Sequence, residues 1–392
     1  MPRFTVPAIV KEIGQSLRLA GGKDILVGGW VRDQLLGKNG PDLDIEVFGI
    51  SSYERLCHVL SAFGMPVLVG QAFGVAKLTI DGLQLDYALP RRDNKIGIGH
   101  KGFDVEIYPH MSFAEAASRR DFTINAIGYD WQADELLDPY GGTPDLEAHI
   151  LRHVGPAFSE DPLRVYRALQ FAARFSLEIH PETLALCQKI ALDELPKERV
   201  FAELEKLMLA APRPSEGWEW ARKMGVLSHF PELAALIDTP QDPQWHPEGD
   251  VWIHTMMVVD EMAKLRTGNP AQDRVLMFAA LCHDFGKPPT TQFFDGRWRS
   301  HNHEHEGVKP TKSFLKRLTD ETTFIKEVCD LVAEHLKPAL LFKSAQTGTV
   351  GDTAIRRLSL RVNIARLLLL AQADHAGRTT EDAHRFEAVE WL

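Results

Sequence analysis

A glycine pair and two closely spaced carboxylates restrict this chain more than anything else in it: Gly28-Gly29-Trp30-Val31-Arg32-Asp33, followed by Pro41-Asp42-Leu43-Asp44-Ile45. The apolar run Ile25-Leu26-Val27 reads as a strand, which Gly28-Gly29 ends while opening a helix. Side chains alternate along a strand, so Asp42 and Asp44 face the same way. Glycine lets backbone N–H groups approach an anion closely, a helix N-terminus favours its charge, and Arg32 stands where it can reach the same anion. Two carboxylates on one face beside such a turn suit divalent ions and a nucleoside triphosphate. A Gly-Gly pair alone is commonly a mere turn and an Asp-x-Asp alone a solvated edge. Their order and spacing give the pair its meaning.

The rest of the chain sets limits on that reading. With 392 residues, 44% of them hydrophobic, it is long enough for two or three domains with sizeable cores. The net charge is −10 and no long segment is strongly basic, which excludes sequence-independent coating of nucleic acid but permits local recognition of an RNA end. Cys57, Cys187, Cys282 and Cys329 form no CxxC and no disulfide framework, as expected of reduced thiols in a cytoplasm. Met1-Pro2-Arg3-Phe4-Thr5 has no apolar signal core, and Leu367-Leu368-Leu369-Leu370 is too short to span a bilayer, so a soluble protein is expected.

Residues 1–149 mix strand patterns (25–27, 43–48, 75–80, 83–87) with a helix over 51–63 that starts at a serine N-cap. The stretch between Leu89 and Ser118 intersperses Arg91, Arg92, Lys95 and Lys101 with Gly97, Gly99 and Gly102 and reads as a long loop. From Asp161 the period turns helical, with Leu163, Tyr166, Ala168, Leu169 and Ala172 at helix spacing and further helices over 200–209 and 218–226. A proline-rich break, 238–249, marks a linker before a last helical region.

Two more runs carry charge in patterned positions. Arg119-Arg120-Asp121-Phe122-Thr123-Ile124-Asn125-Ala126 could be a plain helix start. Glu160-Asp161-Pro162-Leu163-Arg164, then Arg167, places proline in a first helical turn, with Asp161 and Arg164 expected on one face. Together with 26–33, Asp42–Asp44 and Glu198-Arg199-Val200 with Glu203, these runs resemble the class II tRNA nucleotidyltransferase family, the CCA-adding enzymes and their bacterial poly(A) polymerase relatives. The resemblance covers about residues 24–230. It implies that Asp42 and Asp44 are catalytic and hold Mg²⁺. It implies that Gly28, Gly29, Arg32, Arg120, Asp121 and Arg167 bind nucleotide, with Asn125 near the ribose. It makes Asp161 and Arg164 a protein template for the base. The last role is chemically sensible: cytosine and adenine both present an exocyclic amine beside a ring-nitrogen acceptor, which a carboxylate and a guanidinium match, whereas guanine and uracil leave polar groups unpaired. Close bacterial relatives carry an arginine three residues after the position of Arg167. Here it is Gln170, which cannot neutralise phosphate. Asp86, at a strand end, is a third carboxylate of either structural or catalytic use.

A second constellation lies beyond the linker: His254, His283-Asp284, His303, His335 and Asp374, with apolar Ala279-Ala280-Leu281-Cys282 leading into His283-Asp284-Phe285-Gly286-Lys287. Histidines and carboxylates in this order suit a catalytic divalent metal site. The pattern resembles the HD phosphohydrolase superfamily in its richer version, and the run from His246-Pro247-Glu248 to His254 resembles the HD domain appended to some CCA-adding enzymes. His303, rather than His301 or His305, fits the family spacing. The resemblance leaves the metal open among Mg²⁺, Mn²⁺, Ni²⁺ and Fe.

The fold expected is α+β: a DNA-polymerase-β-like head of mixed sheet and helices over 1–149, an all-helical neck and body over 150–237 and an all-helical HD domain over 238–392. The function expected is template-independent addition of CMP and AMP, from CTP and ATP, to the 3′ end of tRNA, with phosphoester hydrolysis in the HD domain, 2′,3′-cyclic phosphates at damaged ends among its candidate substrates. Rivals are an A-adding enzyme or poly(A) polymerase and, from another class, an HD hydrolase with a nucleotide-sensing head. No membrane partner is expected, and the sequence leaves the oligomeric state open.

Overall fold

The computed structural model describes residues 4–69, 74–95, 103–348 and 351–392. The chain forms two compact units, Met1–Asp161 and Pro162–Leu392.

The first unit contains, in order, α1 (Ala8–Leu19), β1 (Lys23–Val27), α2 (Gly29–Leu35), β2 (Asp42–Phe48), α3 (Tyr53–Leu60), β3 (Val67–Val69), β4 (Val75–Ile80), β5 (Leu83–Ala88), β6 (Arg91–Lys95), β7 (Phe103–Ile107), α4 (Phe113–Ala117), β8 (Gly128–Asp130), β9 (Glu135–Leu137), α5 (Gly142–Glu147) and the two-residue β10 (Ile150–Leu151). A seven-stranded sheet runs β3-β4-β5-β2-β1-β8-β9. Its pairs are antiparallel except for the parallel pair β2 and β5. Alternation along β2 explains the layering. Leu43, Ile45 and Val47 are buried in a core with Val10, Ile13 and Leu17 of α1 and Leu56 and Leu60 of α3, while Asp42, Asp44 and Glu46 take the opposite face. α3 is shorter than the expected 51–63 but has the expected serine N-cap, Ser52, whose hydroxyl accepts the Arg55 N–H at 3.3 Å.

The stretch read as a long loop is ordered locally. β6 and β7 pair antiparallel from Arg91↔Ile107 to Lys95↔Phe103, and α4 follows behind a capping box of Ser112 and Glu115. The strand 91–95 is Arg-Arg-Asp-Asn-Lys, so it has no apolar alternation by which to be recognised. Gly97, Gly99, Lys101 and Gly102 lie outside the described residues, as do Met1, Pro2 and Arg3.

The second unit is mostly helical. It runs α6 (Leu163–Phe175), the two-residue β11 (Glu178–Ile179), α7 (Pro181–Cys187), α8 (Lys197–Ala210), α9 (Pro214–Lys223), α10 (Pro231–Ala234), α11 (Val251–Lys264), α12 (Pro270–Cys282), α13 (Lys287–Thr290), β12 (Thr291–Phe294), β13 (Arg297–Ser300), α14 (His303–Glu306), α15 (Val308–Leu318), α16 (Thr322–Glu334), α17 (Lys337–Gln346), α18 (Asp352–Ser359), α19 (Ile364–Ala376) and α20 (Glu387–Trp391). Phe201 of α8, Phe278 of α12 and Phe324 of α16 meet within 5.4–5.6 Å in one shared core. The proline-rich stretch 238–249 is non-helical, and α11 starts at Asp250, whose carboxylate accepts the Ile253 N–H at 2.9 Å.

Expectation and structure differ at the strands of this unit. β12 and β13 form a hairpin turned by Asp295 (φ 51°) and Gly296 (φ 73°), so the region after 238 is not all helix, and β11 interrupts the neck. The hairpin did have a signature: Asp-Gly flanked by aromatic residues is the dipeptide that the two positive φ angles of such a turn demand. Among the described residues no helix is long and apolar enough to cross a membrane.

Candidate active sites

In the first unit the acidic face of the sheet meets the glycine turn. Asp44 lies between Val27 of β1 and Asp86 of β5 in the strand register. Gly28 has φ 68° and ψ −132°, a conformation that a side chain would strain. A Cβ there would stand 3.1 Å from the Arg120 guanidinium and 3.3 Å from the Asp44 carboxylate. Gly28 is therefore the point at which backbone, Asp44 and Arg120 converge. The Asp44 side chain stays accessible, yet its carboxyl is pushed above the usual range: desolvation by its surroundings is the main cause, Arg120 opposes it, and Asp86 and Asp42 add to it. A carboxylate crowded by like charges is one that favours a cation. Asp86 is itself neutralised by Lys77 at 2.8 Å.

The arginines behave differently from one another. Arg32, at 4% exposure, is interior. It donates to the Asn125 side chain and to Asp33 at 2.7 and 2.9 Å. Asn125 in turn donates to Asp121 at 3.0 Å. Arg32, Asn125 and Asp121 thus form one buried network that stiffens the turn. Arg120 is more open and donates to Glu46 at 3.2 Å and to the Asn125 carbonyl at 3.3 Å. Glu46 escaped sequence reasoning. It continues the Asp42, Asp44 alternation by one step, but its partner is far away in the chain.

Asp161 is the last residue of the first unit, and Arg164 belongs to the second. Asp161 has extended dihedrals and precedes α6, so helical spacing does not relate it to Arg164 as the sequence suggested. Arg164 is in the first turn of α6. One turn on, Arg167 reaches Glu203 at 3.8 Å and lies over the Phe171 ring. Gln170 is 2% exposed, and its side-chain nitrogen has no hydrogen-bond partner.

The second unit gathers its histidines and carboxylates at helix ends. His254 is in the first turn of α11, His283 caps α12, His303 opens α14, His335 caps α16 and Asp374 is in the last turn of α19. Three groups of ligand atoms lie close enough to hold an ion: His246, Glu248 and His254; His254, His283 and Asp374; and Asp284, His303 and His335. Every imidazole is oriented from behind. His283 Nδ1 meets the Ala280 carbonyl at 2.8 Å, His303 Nδ1 that of Ser300 at 2.8 Å and His335 Nδ1 that of Val332 at 2.7 Å. Glu248 Oε1 lies 2.9 Å from Nδ1 of both His254 and His246. With Nδ1 engaged in this way the Nε2 atoms face inward, that of His254 lying 3.1 Å from Asp374 Oδ1. Nε2 of His283 and of His335 are buried without a hydrogen-bond partner. Orphaned ring nitrogens beside two carboxylates are what a divalent cation satisfies, so the residues fit a metal.

The imidazoles differ in their electrostatics: burial disfavours the charged form of His283, yet Asp284 beside it holds its pKa above the usual range. Burial, then the neighbouring His303 and His283, lowers His335 to about 3, keeping it neutral as a ligand must be. Burial opposes ionisation of Asp284 and Asp374, yet His283 and Lys287 beside the first, and His254 and Arg378 beside the second, hold both well below the usual range. His303 reaches Asp284 at 3.3 Å, whereas His301 and His305 are exposed. Gly286 is obligatory, since a Cβ there would be 1.9 Å from the His303 carbonyl oxygen. Lys287 Nζ bridges Asp284 at 2.7 Å and Gln241 at 2.6 Å. Lys287 and Arg378 bring positive charge to a cavity of about 260 Å³ over the cluster, walled also by Trp245 and Trp298.

A mixed sheet with paired carboxylates beside a glycine turn defines a nucleotidyltransferase, here joined in one chain to an HD-type metal-binding unit. Comparison with known proteins agrees. Residues 25–152 match the poly A polymerase head domain family. Residues 176–237 match the family described as "Probable RNA and SrmB- binding site of polymerase A", and residues 251–376 match the HD domain. The chain is 39% identical over 375 residues to the multifunctional CCA protein of Stenotrophomonas maltophilia (strain R551-3), covering 91% of this chain and 86% of that protein. It is 38% identical over 367 residues to that of Xylella fastidiosa (strain 9a5c), covering 91% and 84%. Solved structures share the fold: an apo tRNA-processing enzyme with TM-score 0.67 at 23% identity, covering 99% of this chain and 92% of that one, and the Bacillus stearothermophilus CCA-adding enzyme in complex with CTP, TM-score 0.67 at 21% identity, covering 97% and 80%. The chain belongs to the multifunctional CCA protein family of class II tRNA nucleotidyltransferases and poly(A) polymerases.

Proposed function

We propose that this chain adds CMP and AMP to the 3′ end of tRNA, using CTP and ATP, and hydrolyses phosphoesters at a second, independent centre. The observation that carries the first activity is the convergence of Gly28, Asp44 and Arg120 on the acidic face of β2. The multifunctional CCA proteins at 38–39% identity support the choice of tRNA and of CCA.

In this reading Asp42 and Asp44 hold Mg²⁺, which when bound neutralises the triphosphate and acidifies the primer hydroxyl. The chain's own residues do the rest. The Gly28-Gly29 backbone and Arg120 receive phosphates. The network of Arg32, Asp121 and Asn125 fixes the turn and presents Asn125 toward the ribose. Arg167, held by Glu203, takes a further phosphate contact, and Asp161 and Arg164 select the base by its exocyclic amine and ring nitrogen. At the second centre His254, His283, Asp284, His303, His335 and Asp374 hold one or two divalent ions, with Mg²⁺, Mn²⁺, Ni²⁺ and Fe all compatible with the donor set. Lys287 and Arg378 supply fixed positive charge for a bound phosphate. The head spans 1–149, the neck and body 150–237 and the HD domain 238–392. The enzyme works in the cytoplasm, where its four cysteines remain thiols, as they are here.

Primer extension tests this directly. A tRNA transcript ending before CCA, offered each nucleotide separately, should take up C from CTP, then A from ATP after two C additions. Uptake of A alone would replace the reading with A-addition or poly(A) synthesis, which Gln170 keeps as the second reading.

A further inference from the structure

The strand register lays out the acidic face of the head's sheet in rows. Asp44 of β2 is opposite Asp86 of β5, and Asp86 is opposite Lys77 of β4. These three side chains therefore form one row across three strands. Asp42 shares its row with the uncharged Gln84 and Thr79, and Glu46 shares its own with Ala88 and Val75. Two of these acids have a cation to themselves. Arg120 meets Glu46 at 3.2 Å, and Lys77 meets Asp86 at 2.8 Å. Among the described residues Asp42 and Asp44 form no ion pair. Lys77 feels the whole row: its ammonium is held above the usual range first by the bond to Asp86, against slight desolvation, and then by the charges of Asp86, Asp44 and Asp42.

Neighbouring strands are about 4.8 Å apart, so a cation held by Asp44 is within reach of a carboxylate on the next strand. The direction in which Asp86 points decides whether it joins. Lys77 sets that direction, because it stands on the far side of Asp86 from Asp44. Fold stability does not account for the pair. The Lys77 and Asp86 side chains are 45% and 28% exposed, and ion pairs this open contribute little. The charge of the site does account for it. A divalent ion between two carboxylates is neutral and still accepts a polyanionic triphosphate, whereas a third carboxylate makes the set negative and repels it.

We propose that Lys77 is a positioning residue for nucleotidyl transfer: it draws Asp86 away from the metal pair, so that the head offers two metal-binding carboxylates, Asp42 and Asp44, and not three. This rests on the reading of the head as a metal-dependent nucleotidyltransferase, and the test separates the two. The probe is Mn²⁺ titrated into the full chain, with the free ion followed by electron paramagnetic resonance. Ions held by the second unit are common to every variant, so differences between variants report on the head. Groups that orient a metal's ligands change its affinity about 10–100-fold, and K77M, which releases Asp86 toward the ion, should tighten binding at the head about 10-fold. K77R should match the unaltered chain. K77M/D86N should return to it as well, because the third carboxylate is gone. In primer extension at saturating Mg²⁺, K77M should raise the KM for CTP severalfold with a smaller change in kcat. Mn²⁺ binding by K77M no tighter than by the unaltered chain overturns the proposal, as does binding by K77M/D86N as tight as by K77M. D44N supplies the control for the reading beneath it. If D44N weakens Mn²⁺ binding while K77M leaves it unchanged, only the role of Lys77 falls. If D44N binds Mn²⁺ like the unaltered chain, the metal-dependent reading of the head falls with it.

Discussion

Glu46 shows how much a single side chain can decide. It extends the row of Asp42 and Asp44 by one step along β2 and spends its charge on Arg120. Charge-assisted bonds of this kind are worth about 1.5–3 kcal/mol. E46A should therefore raise the KM for CTP about 10-fold or more with a smaller effect on kcat. E46Q, which can still accept from the guanidinium, should stay within a few-fold of the parent; an equal loss of kcat in both variants would mark Glu46 as a metal ligand instead. At Gly28, G28A forces a side chain into a positive-φ conformation and against Arg120 and Asp44. The strain alone costs about 1–3 kcal/mol, and the expected result is loss of CTP binding by calorimetry together with a lower melting temperature. At this scale Asp42 and Asp44 were legible because their relation is local and has period two. Glu46 was not, because its meaning depends on an arginine 74 residues away. The buried state of Arg32 was hidden for the same reason: its partner Asn125 arrives through β1 pairing with β8.

At the scale of elements, caps and turns carried the signal. The serine N-cap of the first-unit helix was readable, and Ser52 does accept a first-turn N–H group, as Asn269 and Asn363 do in the second unit. Asp250 does more. One carboxylate oxygen caps α11 and the other accepts the Asp238 N–H at 2.7 Å, tying the proline-rich stretch to the helix that carries His254. D250A should cost about 1–2 kcal/mol of stability in thermal or urea unfolding, whereas D250N should recover most of it. Two hairpins were missed for opposite reasons. The first, β6–β7, has a polar strand that periodicity cannot detect. The second announced itself by Asp295-Gly296, but the surrounding helical pattern outweighed a two-residue signal. The helical spacing of Asp161 from Arg164 does not describe its backbone, which is extended: proline at the following position disfavours the helical region for the residue before it.

At the scale of the molecule, two chemistries share one chain and should fail separately. D44A should abolish nucleotide incorporation and spare phosphoester hydrolysis, and D284A should do the reverse. Loss of both activities from one substitution would refute independent sites. Metal supplies a further handle. A divalent ion at 100 times its dissociation constant stabilises the folded state by about 2.7 kcal/mol, so saturating metal should raise the melting transition of the second unit and EDTA should reverse the shift. D284A should remove most of that response. The order of domains was legible from the sequence because each motif stands at the start or end of a regular element. What the sequence could not show is that helices from both sides of the proline-rich stretch share one core, through Phe201, Phe278 and Phe324, since contacts between distant helices leave no local trace.

The two-sided character of β2 also limits how the head can change over time. Apolar residues on one side and acids on the other tie each position to its parity, so inserting or deleting one residue within the strand would send aspartates into the oily interior and leucines into solvent. Length variation in descendants of this chain should accumulate in the segments joining the strands, and any change inside β2 itself should come in steps of two.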